Sequence, residues 1–187
     1  MSSVTAEPHT EWLPNRPLTR ADLESLPDDG HRYELIDGVL VVSPAPSWQH
    51  QAAVVELLVR LRDACPPELM VFVAPLDVSY TENTVLQPDV LVASRADLGE
   101  RNLEGVPRLA AEVLSPSTRH LDLAFKRARY EAAGCPSYWV IDPSVPSILC
   151  WELADGTYAE VARASGNERV TLTKPFPLAI SPADLVD

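Results

Sequence analysis

The chain has 187 residues, of which 46% are apolar and 22% are charged, and this composition is typical of one soluble globular domain. Its formal net charge of -12 excludes a protein that coats nucleic acid nonspecifically, because that affinity comes from many lysine and arginine contacts. A local basic groove or a metal site that supplies its own positive charge remains compatible with the composition.

The three cysteines and the apolar pattern indicate the compartment. Cys65, Cys135 and Cys150 form no CxxC pair and are odd in number, so we expect small core residues in a reducing cytosol. The first residues lack the charged and apolar regions of a signal peptide, and no apolar run approaches the roughly 18 residues of a membrane span. These features predict a cytoplasmic protein without membrane contact.

The N-terminal third of the chain begins with polar, proline-bearing residues. We expect residues 1–17 to be a flexible arm and residues 18–187 to be a single domain. A first helix is predicted from the cap residue Thr19, with Gly30 at its end. The segment YELIDGVLVVS predicts a β-hairpin that turns at Asp37-Gly38.

The remaining elements alternate between helical and strand patterns. The helical period predicts two further helices, QAAVVELLVRLRDAC and LDLAFKRARYEAAG. Apolar runs predict strands at MVFVAPLDVSY, QPDVLVAS, RLAAEVLS, SYWVIDP, SILCWELA, TYAEVARA and RVTLT, with TENTV as a turn and the last strand completing the sheet. This order indicates an α/β or α+β fold, with a central mixed β-sheet flanked by helices.

Two carboxylates interrupt apolar strands. Asp89 opens VLVA, and Glu112 lies inside AAEVL, where an unpaired carboxylate would be costly. If the two strands are neighbours, both side chains can project to one side and bind a hard divalent cation such as Mg²⁺. The alternative is structural: Asp89 caps a turn and Glu112 pairs with an arginine.

A helix follows the Glu112 strand almost directly. Asp122, Lys126 and Tyr130 are spaced i, i+4 and i+8, so they share one helix face. This face is either a solvated stripe, or it folds back so that Lys126 reaches Glu112 and stabilises charge developing on a phosphate.

Weaker candidates lie elsewhere. Glu34 stands between Tyr33 and Leu35, where strand alternation predicts that it faces away from the core. His50 starts the second helix, where surface polar residues are common. A Gly-rich phosphate loop and the GxSxG and HExxH motifs are absent from the sequence.

The ordered pieces YELIDGVLVVSPAP, APLDV, QPDVLV, EVLSPST and YWVIDP, together with the helix of Asp122 and Lys126, resemble the Uma family of putative restriction endonucleases. This family lies within the PD-(D/E)XK nuclease superfamily. The resemblance covers roughly residues 18 to 155. It implies a restriction-endonuclease-like mixed sheet flanked by helices and phosphodiester hydrolysis that depends on a divalent metal.

The resemblance also implies roles for individual residues. Asp89 and Glu112 would be metal ligands, and Val113 would lend its backbone carbonyl. The superfamily pattern places lysine two residues after the second acid, where this chain has Leu114, so Lys126 would supply the catalytic ammonium from the helix.

Further roles follow for the weaker candidates. Glu34 resembles the additional N-terminal acid of the superfamily, and His50 would bind substrate. The expected function is therefore a Mg²⁺- or Mn²⁺-dependent endonuclease acting on DNA, with RNA left open. A homodimer is compatible with cutting two strands. The alternative is a catalytically inactive nuclease scaffold that acts as a binding or regulatory module. A sugar hydrolase with paired carboxylates lacks support, since no aromatic platform is apparent.

Overall fold

A computed structural model describes residues 15–100, 102–116 and 119–186. Of the predicted arm at 1–17, residues 1–14 lie outside these ranges. The described residues form helices α1 (Arg20–Glu24), α2 (Trp48–Ala64) and α3 (Arg127–Ala132), with a π-helical turn at Leu121–Lys126 directly before α3. Short 3₁₀ turns lie at Arg95–Asp97 and Pro182–Leu185.

The strands of the described residues are, in chain order, β1 (Arg32–Ile36), β2 (Val39–Ser43), β3 (Leu69–Val73), β4 (Val78–Thr81), β5 (Thr84–Leu86), β6 (Val90–Ser94), β7 (Leu109–Val113), β8 (Ser137–Asp142), β9 (Ser147–Ala154), β10 (Thr157–Ser165), β11 (Val170–Leu172) and β12 (Leu178–Ile180). The central sheet has the order β10-β9-β8-β7-β6-β3. Its β7–β8 pair is parallel and its other pairs are antiparallel, which confirms the predicted mixed sheet.

Side chains of the central sheet alternate between two covered faces. On β7, Leu109, Ala111 and Val113 pack with α2, because apolar side chains of that helix repeat along one stripe. Ala110 points the other way, into a cluster with Tyr130 of α3. The central sheet therefore lies between two helical layers, and Glu112 shares the face that α3 covers.

A second sheet, with the order β2-β1-β5-β4, covers part of the same face as α3. The predicted hairpin is confirmed: β1 pairs with β2, and Asp37 and Gly38 both have positive φ, as a two-residue hairpin turn requires. At Gly38 an added Cβ would lie 2.6 Å from the Cβ of Pro17, so the position also excludes any larger residue sterically.

Several predicted boundaries are wrong. The segment MVFVAPLDVSY splits into β3 and β4 of different sheets, because Pro75 cannot donate a ladder hydrogen bond. Part of the predicted turn TENTV is strand β5. Strand β11 pairs with β12 in a separate two-stranded sheet and does not complete the central one.

The first helix is shorter than predicted. The Thr19 amide donates to Asp22 Oδ2 at 2.7 Å, which confirms the predicted start. The helix ends at Glu24 and not at Gly30. Pro27 follows closely, and proline disfavours helical conformation in the residue before it.

The turn after β8 is organised by one carboxylate. Asp142 accepts hydrogen bonds from the Ser144 amide, the Val145 amide and the guanidinium of Arg119. Burial opposes its ionisation, but these bonds outweigh burial and hold the pKa of Asp142 below its usual range. No helix of the described residues is long and apolar enough to cross a membrane.

Candidate active site

Asp89 and Glu112 lie opposite each other on neighbouring strands. The antiparallel register of β6 and β7 pairs Val90 with Ala111, so the next pair outward is Asp89 and Glu112. Directly opposed residues project to the same face of a sheet. Both side chains are buried, with 4% and 1% of their surface exposed. The strands that carry Asp89 and Glu112 are therefore neighbours, which was the condition for both side chains to project to one side.

The two oxygens of Asp89 have different partners. Its Oδ2 accepts the Val113 amide at 2.8 Å and lies 3.2 Å from His50 Nε2. Its Oδ1 accepts a hydrogen bond from Arg32 Nη1 at 2.6 Å. Burial opposes the charge of Asp89, but the contact with His50 and the charge of Arg32 outweigh it and hold the pKa of Asp89 below its usual range.

Lys126 reaches Glu112, as the sequence predicts. The Lys126 Nζ lies 3.2 Å from Glu112 Oε1, 3.0 Å from Glu34 Oε1 and 3.5 Å from Asp122 Oδ1. The hydroxyl of Tyr130 donates to the same Glu112 oxygen at 2.8 Å. Asp122, Lys126 and Tyr130 are all buried, so a solvated stripe is the wrong interpretation of their spacing.

A π-helical turn brings Lys126 to this position. Residues Leu121–Lys126 form the wide turn, and Tyr138 of β8 donates from its hydroxyl to the Asp122 carbonyl at 2.8 Å. Because a π-turn contains an extra residue, it changes which side chains of a helix face the sheet. Such turns occur frequently at functional sites.

The buried charges of the site do not balance. Within the described residues the site has four buried carboxylates, Glu34, Asp89, Glu112 and Asp122, and the cationic side chains that contact them there are Arg32 and Lys126. The ionised cluster therefore carries an excess of two negative charges when His50 is neutral. An excess of this size in a buried site favours the binding of a divalent cation or of protons.

The pKa shifts of Glu112 and Lys126 result from burial and from the neighbouring charges. Burial raises the pKa of Glu112 well above its usual value; Lys126 opposes the shift, and the neighbouring carboxylates add to it. Burial lowers the pKa of Lys126, but Glu112, Glu34 and Asp122 raise it more, so the net shift is upward and the amine stays charged.

Two predictions about exposure are wrong. Glu34 does not face away from the core: it is 1% exposed, and its Oε1 accepts the Gln87 amide at 2.8 Å. Strand alternation fails here because β1 is covered on both faces. His50 is buried as well, since the first turn of α2 carries it to Asp89.

Arg32 is a site residue that sequence reasoning missed. Besides its bond to Asp89, it donates to the Gln87 carbonyl, and its Nη2 lies 3.7 Å from Glu34 Oε2. A signal was available, because Arg32 and Glu34 stand two apart on one strand and so share a face.

These side chains open onto one cleft. Its volume is about 620 Å³, and its wall includes the loop from Ser43 to Ser47 and the Ala74-Pro75 segment. The residues that line it include the site side chains of Arg32, His50, Asp89, Glu112, Asp122 and Lys126, but not Glu34. The cleft therefore gives a ligand access to three of the four carboxylates and to both cations.

The donor set suits a divalent cation in chemistry and charge. Carboxylate oxygens are the ligands that Mg²⁺ and Mn²⁺ prefer, and Glu34 Oε2 is buried and accepts no hydrogen bond within the described ranges. Among residues 15–100, 102–116 and 119–186, however, no three His, Cys, Asp or Glu side chains are grouped so that they could hold an ion as they stand. Arg32 and Lys126 hold the carboxylates instead. The Val113 amide binds Asp89, and a role for its carbonyl stays a prediction.

Comparison with known proteins agrees with this fold. A crystal structure described as "a putative nuclease belonging to DUF820" from Anabaena variabilis ATCC 29413 superposes with a TM-score of 0.73 and 19% identity, and covers 91% of this chain and 98% of its own. At that identity the likeness concerns the fold alone. No curated protein matches the chain. The sequence model of the family Uma2, described as "Putative restriction endonuclease", matches residues 20–185. Because that match spans nearly the whole chain, the protein belongs to the Uma2 family.

Proposed function

We propose that the protein is an endonuclease that hydrolyses phosphodiester bonds of DNA with Mg²⁺ or Mn²⁺. One observation carries the proposal: Asp89 and Glu112 are opposed on one sheet face and line a cleft, and the charged amine of Lys126 lies 3.2 Å from Glu112. The family description and the description of the structural neighbour support nuclease chemistry.

Each residue has a proposed role. Asp89 and Glu112 would hold the metal, and further ligands would be the Val113 carbonyl and Glu34 Oε2, which accepts no hydrogen bond within the described residues. A divalent ion held by these residues would supply Lewis-acid chemistry, namely polarisation of the scissile phosphate and a lower pKa for a coordinated water. Lys126 orients the attacking water and offsets the charge of the transition state. His50 contacts Asp89 and lines the cleft, where it can also contact substrate.

The positive charges of the site matter because the whole chain is acidic. A chain of net charge -12 repels a polyanion over most of its surface. Binding of DNA therefore depends on Arg32, Lys126 and the metal inside the cleft. We expect activity to fall with rising salt, since phosphate contacts are replaced by counterions.

The assay is cleavage of supercoiled plasmid with Mg²⁺, Mn²⁺ or EDTA. Wild type is compared with Asp89→Asn and Lys126→Met, and Lys174→Met is the matched control because Lys174 pairs with Glu152 outside the cleft. We expect nicked and linear products from wild type and the control only, and none with EDTA. Equal cleavage by all four proteins would overturn the assignment. A single-stranded RNA substrate in parallel tests DNA against RNA.

A catalytically inactive scaffold is the second candidate, and one observation favours it. Every carboxylate of the cluster already contacts Arg32 or Lys126, so part of its charge is offset without metal. Calorimetric titration with Mn²⁺ separates the two candidates. Binding that disappears in Glu112→Gln supports the nuclease, and absence of binding to wild type supports the scaffold.

The remaining proposals concern organisation. We propose one domain over residues 18–187 and a cytoplasmic location, in keeping with the free thiols of Cys65, Cys135 and Cys150. A homodimer would place two sites on one duplex. Light scattering of the purified protein measures its mass in solution and so tests the dimer.

A further inference from the structure

Arg32 contacts the Asp89 oxygen that makes no other hydrogen bond within the described residues. The opposite oxygen, Oδ2, already accepts the Val113 amide and contacts His50, whereas Oδ1 contacts Arg32 at 2.6 Å. A metal ion that binds Asp89 through Oδ1 meets the guanidinium at the same atom. Two cations at one oxygen repel each other, so Arg32 and the ion exclude each other there.

The two cations of the site differ in their freedom to move. Lys126 is 3% exposed and contacts three carboxylates, so it is fixed at the centre of the cluster. The Arg32 side chain is 23% exposed and lines the cleft. Its Nη2 also donates to the Gln87 carbonyl, but its buried Nε donates no hydrogen bond within the described residues, so the guanidinium has an unused donor. Arg32 is therefore the cation that can turn toward a ligand in the cleft.

An arginine side chain can bind both the Asp89 carboxylate and a phosphate of the substrate. A guanidinium binds a carboxylate or a phosphate through its planar set of donors and stays protonated in either setting. In the metal-free protein Arg32 offsets the charge of Asp89, and its Nη2 lies 3.7 Å from Glu34 Oε2. Once a divalent ion supplies that positive charge, the contact of Arg32 with Asp89 is redundant, and the guanidinium is available to a phosphate oxygen.

We propose that Arg32 takes the place of the metal on Asp89 in the metal-free protein, leaves Oδ1 when a divalent ion binds, and then contacts the phosphate of the nucleic acid. Arg32 is thus a positioning residue in the free protein and a substrate-binding residue in the complex. The inference deepens the proposed nuclease function and rests on it for the phosphate contact.

Calorimetric titration with Mn²⁺ tests the exchange. We compare wild type with Arg32→Met, Arg32→Lys and Arg129→Met. Arg129 is the matched control, because it pairs with an aspartate, Asp37, and does not line the cleft. We expect Arg32→Met to bind Mn²⁺ at least tenfold more tightly than wild type, Arg32→Lys to be intermediate, and the control to match wild type. Arg32→Lys keeps a charge beside Asp89, so it remains informative if Arg32→Met fails to fold.

If Arg32 also contacts the substrate phosphate, its loss should weaken cleavage while it strengthens Mn²⁺ binding. At saturating Mn²⁺, Arg32→Met should cleave plasmid at least tenfold less well, mainly through a higher KM, although it binds the ion better. Loss of a merely structural residue would weaken Mn²⁺ binding and cleavage together. Tighter Mn²⁺ binding together with weaker cleavage therefore identifies the exchange.

The outcomes separate this inference from the nuclease assignment. Equal or weaker Mn²⁺ binding by Arg32→Met and Arg32→Lys overturns the exchange, whether or not the protein cleaves DNA. Tighter binding that Asp89→Asn abolishes, without cleavage by any variant, supports the exchange at Asp89 and overturns the nuclease. Tighter binding with unchanged cleavage supports the exchange and overturns the phosphate contact. If neither wild type nor Arg32→Met binds Mn²⁺, both proposals are wrong.

Discussion

Replacing Lys126 with methionine should destabilise the protein severely. Methionine keeps most of the aliphatic chain but removes the charge that contacts Glu34, Glu112 and Asp122 at 3.0, 3.2 and 3.5 Å. Breaking a buried ion pair by removing one partner costs about 3–5 kcal/mol, because the remaining charge stays buried without compensation. Domains of this size lose about 2–4 °C in Tm for each kcal/mol. The expected loss in Tm is therefore about 6–20 °C.

The matched control is Lys174→Met, since Lys174 is the other lysine of the chain. It contacts Glu152 at 3.1 Å, but about half of its side chain is exposed. An exposed pair of this kind contributes about 0–1 kcal/mol, so its loss should lower Tm by no more than about 4 °C. Both variants differ from wild type by the same chemical change and are measured by circular dichroism during heating in EDTA.

Divalent metal adds a second comparison. A ligand that binds only the folded state raises Tm, and at a fixed ligand concentration the rise increases with the logarithm of its affinity. In the Lys126→Met variant the carboxylate cluster lacks one positive charge. Mn²⁺ should therefore raise the Tm of this variant more than the Tm of wild type or of Lys174→Met. Equal Tm values for the two lysine variants in EDTA would refute the charge argument. An equal response of all three proteins to Mn²⁺ would refute the metal assignment.

Three further substitutions test other contacts by thermal unfolding. Tyr130→Phe removes the hydroxyl that donates to Glu112 at 2.8 Å and should cost about 1.5–3 kcal/mol, the range for a hydrogen bond to a charged group. Asp142→Asn should lower Tm at pH 7. Because the pKa of Asp142 in the folded protein lies below its unfolded value of about 3.9, the difference in Tm from wild type should shrink as the pH falls through that lowered pKa. Gly38→Ala should cost more than Gly134→Ala: both glycines have φ near 80°, but an added Cβ meets another residue only at Gly38.

Each of these has a result that would contradict it. An unchanged Tm in Tyr130→Phe would mean that the hydroxyl does not stabilise Glu112. For Asp142, the sign is the test: a native carboxyl with a lowered pKa stabilises above its unfolded pKa, so a difference that grows toward acid pH would disprove the assignment. Equal losses of Tm in Gly38→Ala and Gly134→Ala would show that the close contact at Gly38 adds no destabilisation.

Patterns that are local in sequence predicted much of the fold. The Asp37-Gly38 turn was predictable because positive φ at two successive residues has few sequence solutions. The Asp89 and Glu112 positions were predictable because a carboxylate inside an apolar strand needs a partner. The contact of Lys126 with Glu112 followed from the short distance in sequence between strand and helix.

Features that depend on distant packing were not predictable. Glu34 and His50 are buried because elements far away in sequence pack over them. The spacing of residues along a strand or a helix does not predict which distant elements pack there. Arg32 was missed because a charged residue at a strand start is usually solvated, and only the fold brings Asp89 to it. The π-helical turn has no recognised sequence signature, and the pairing of β5 with β1 joins segments about 50 residues apart.

The register between β6 and β7 has a consequence for how this chain tolerates change. Asp89 and Glu112 lie at one end of this strand pair, whereas the segment that connects the strands, residues 95–108, leaves from the other end. The separation of the two acids is set by ladder hydrogen bonds and not by the length of the connection. Residues could therefore be inserted near Gly99 without moving one acid relative to the other, whereas one residue added within either strand would turn its acid to the opposite face.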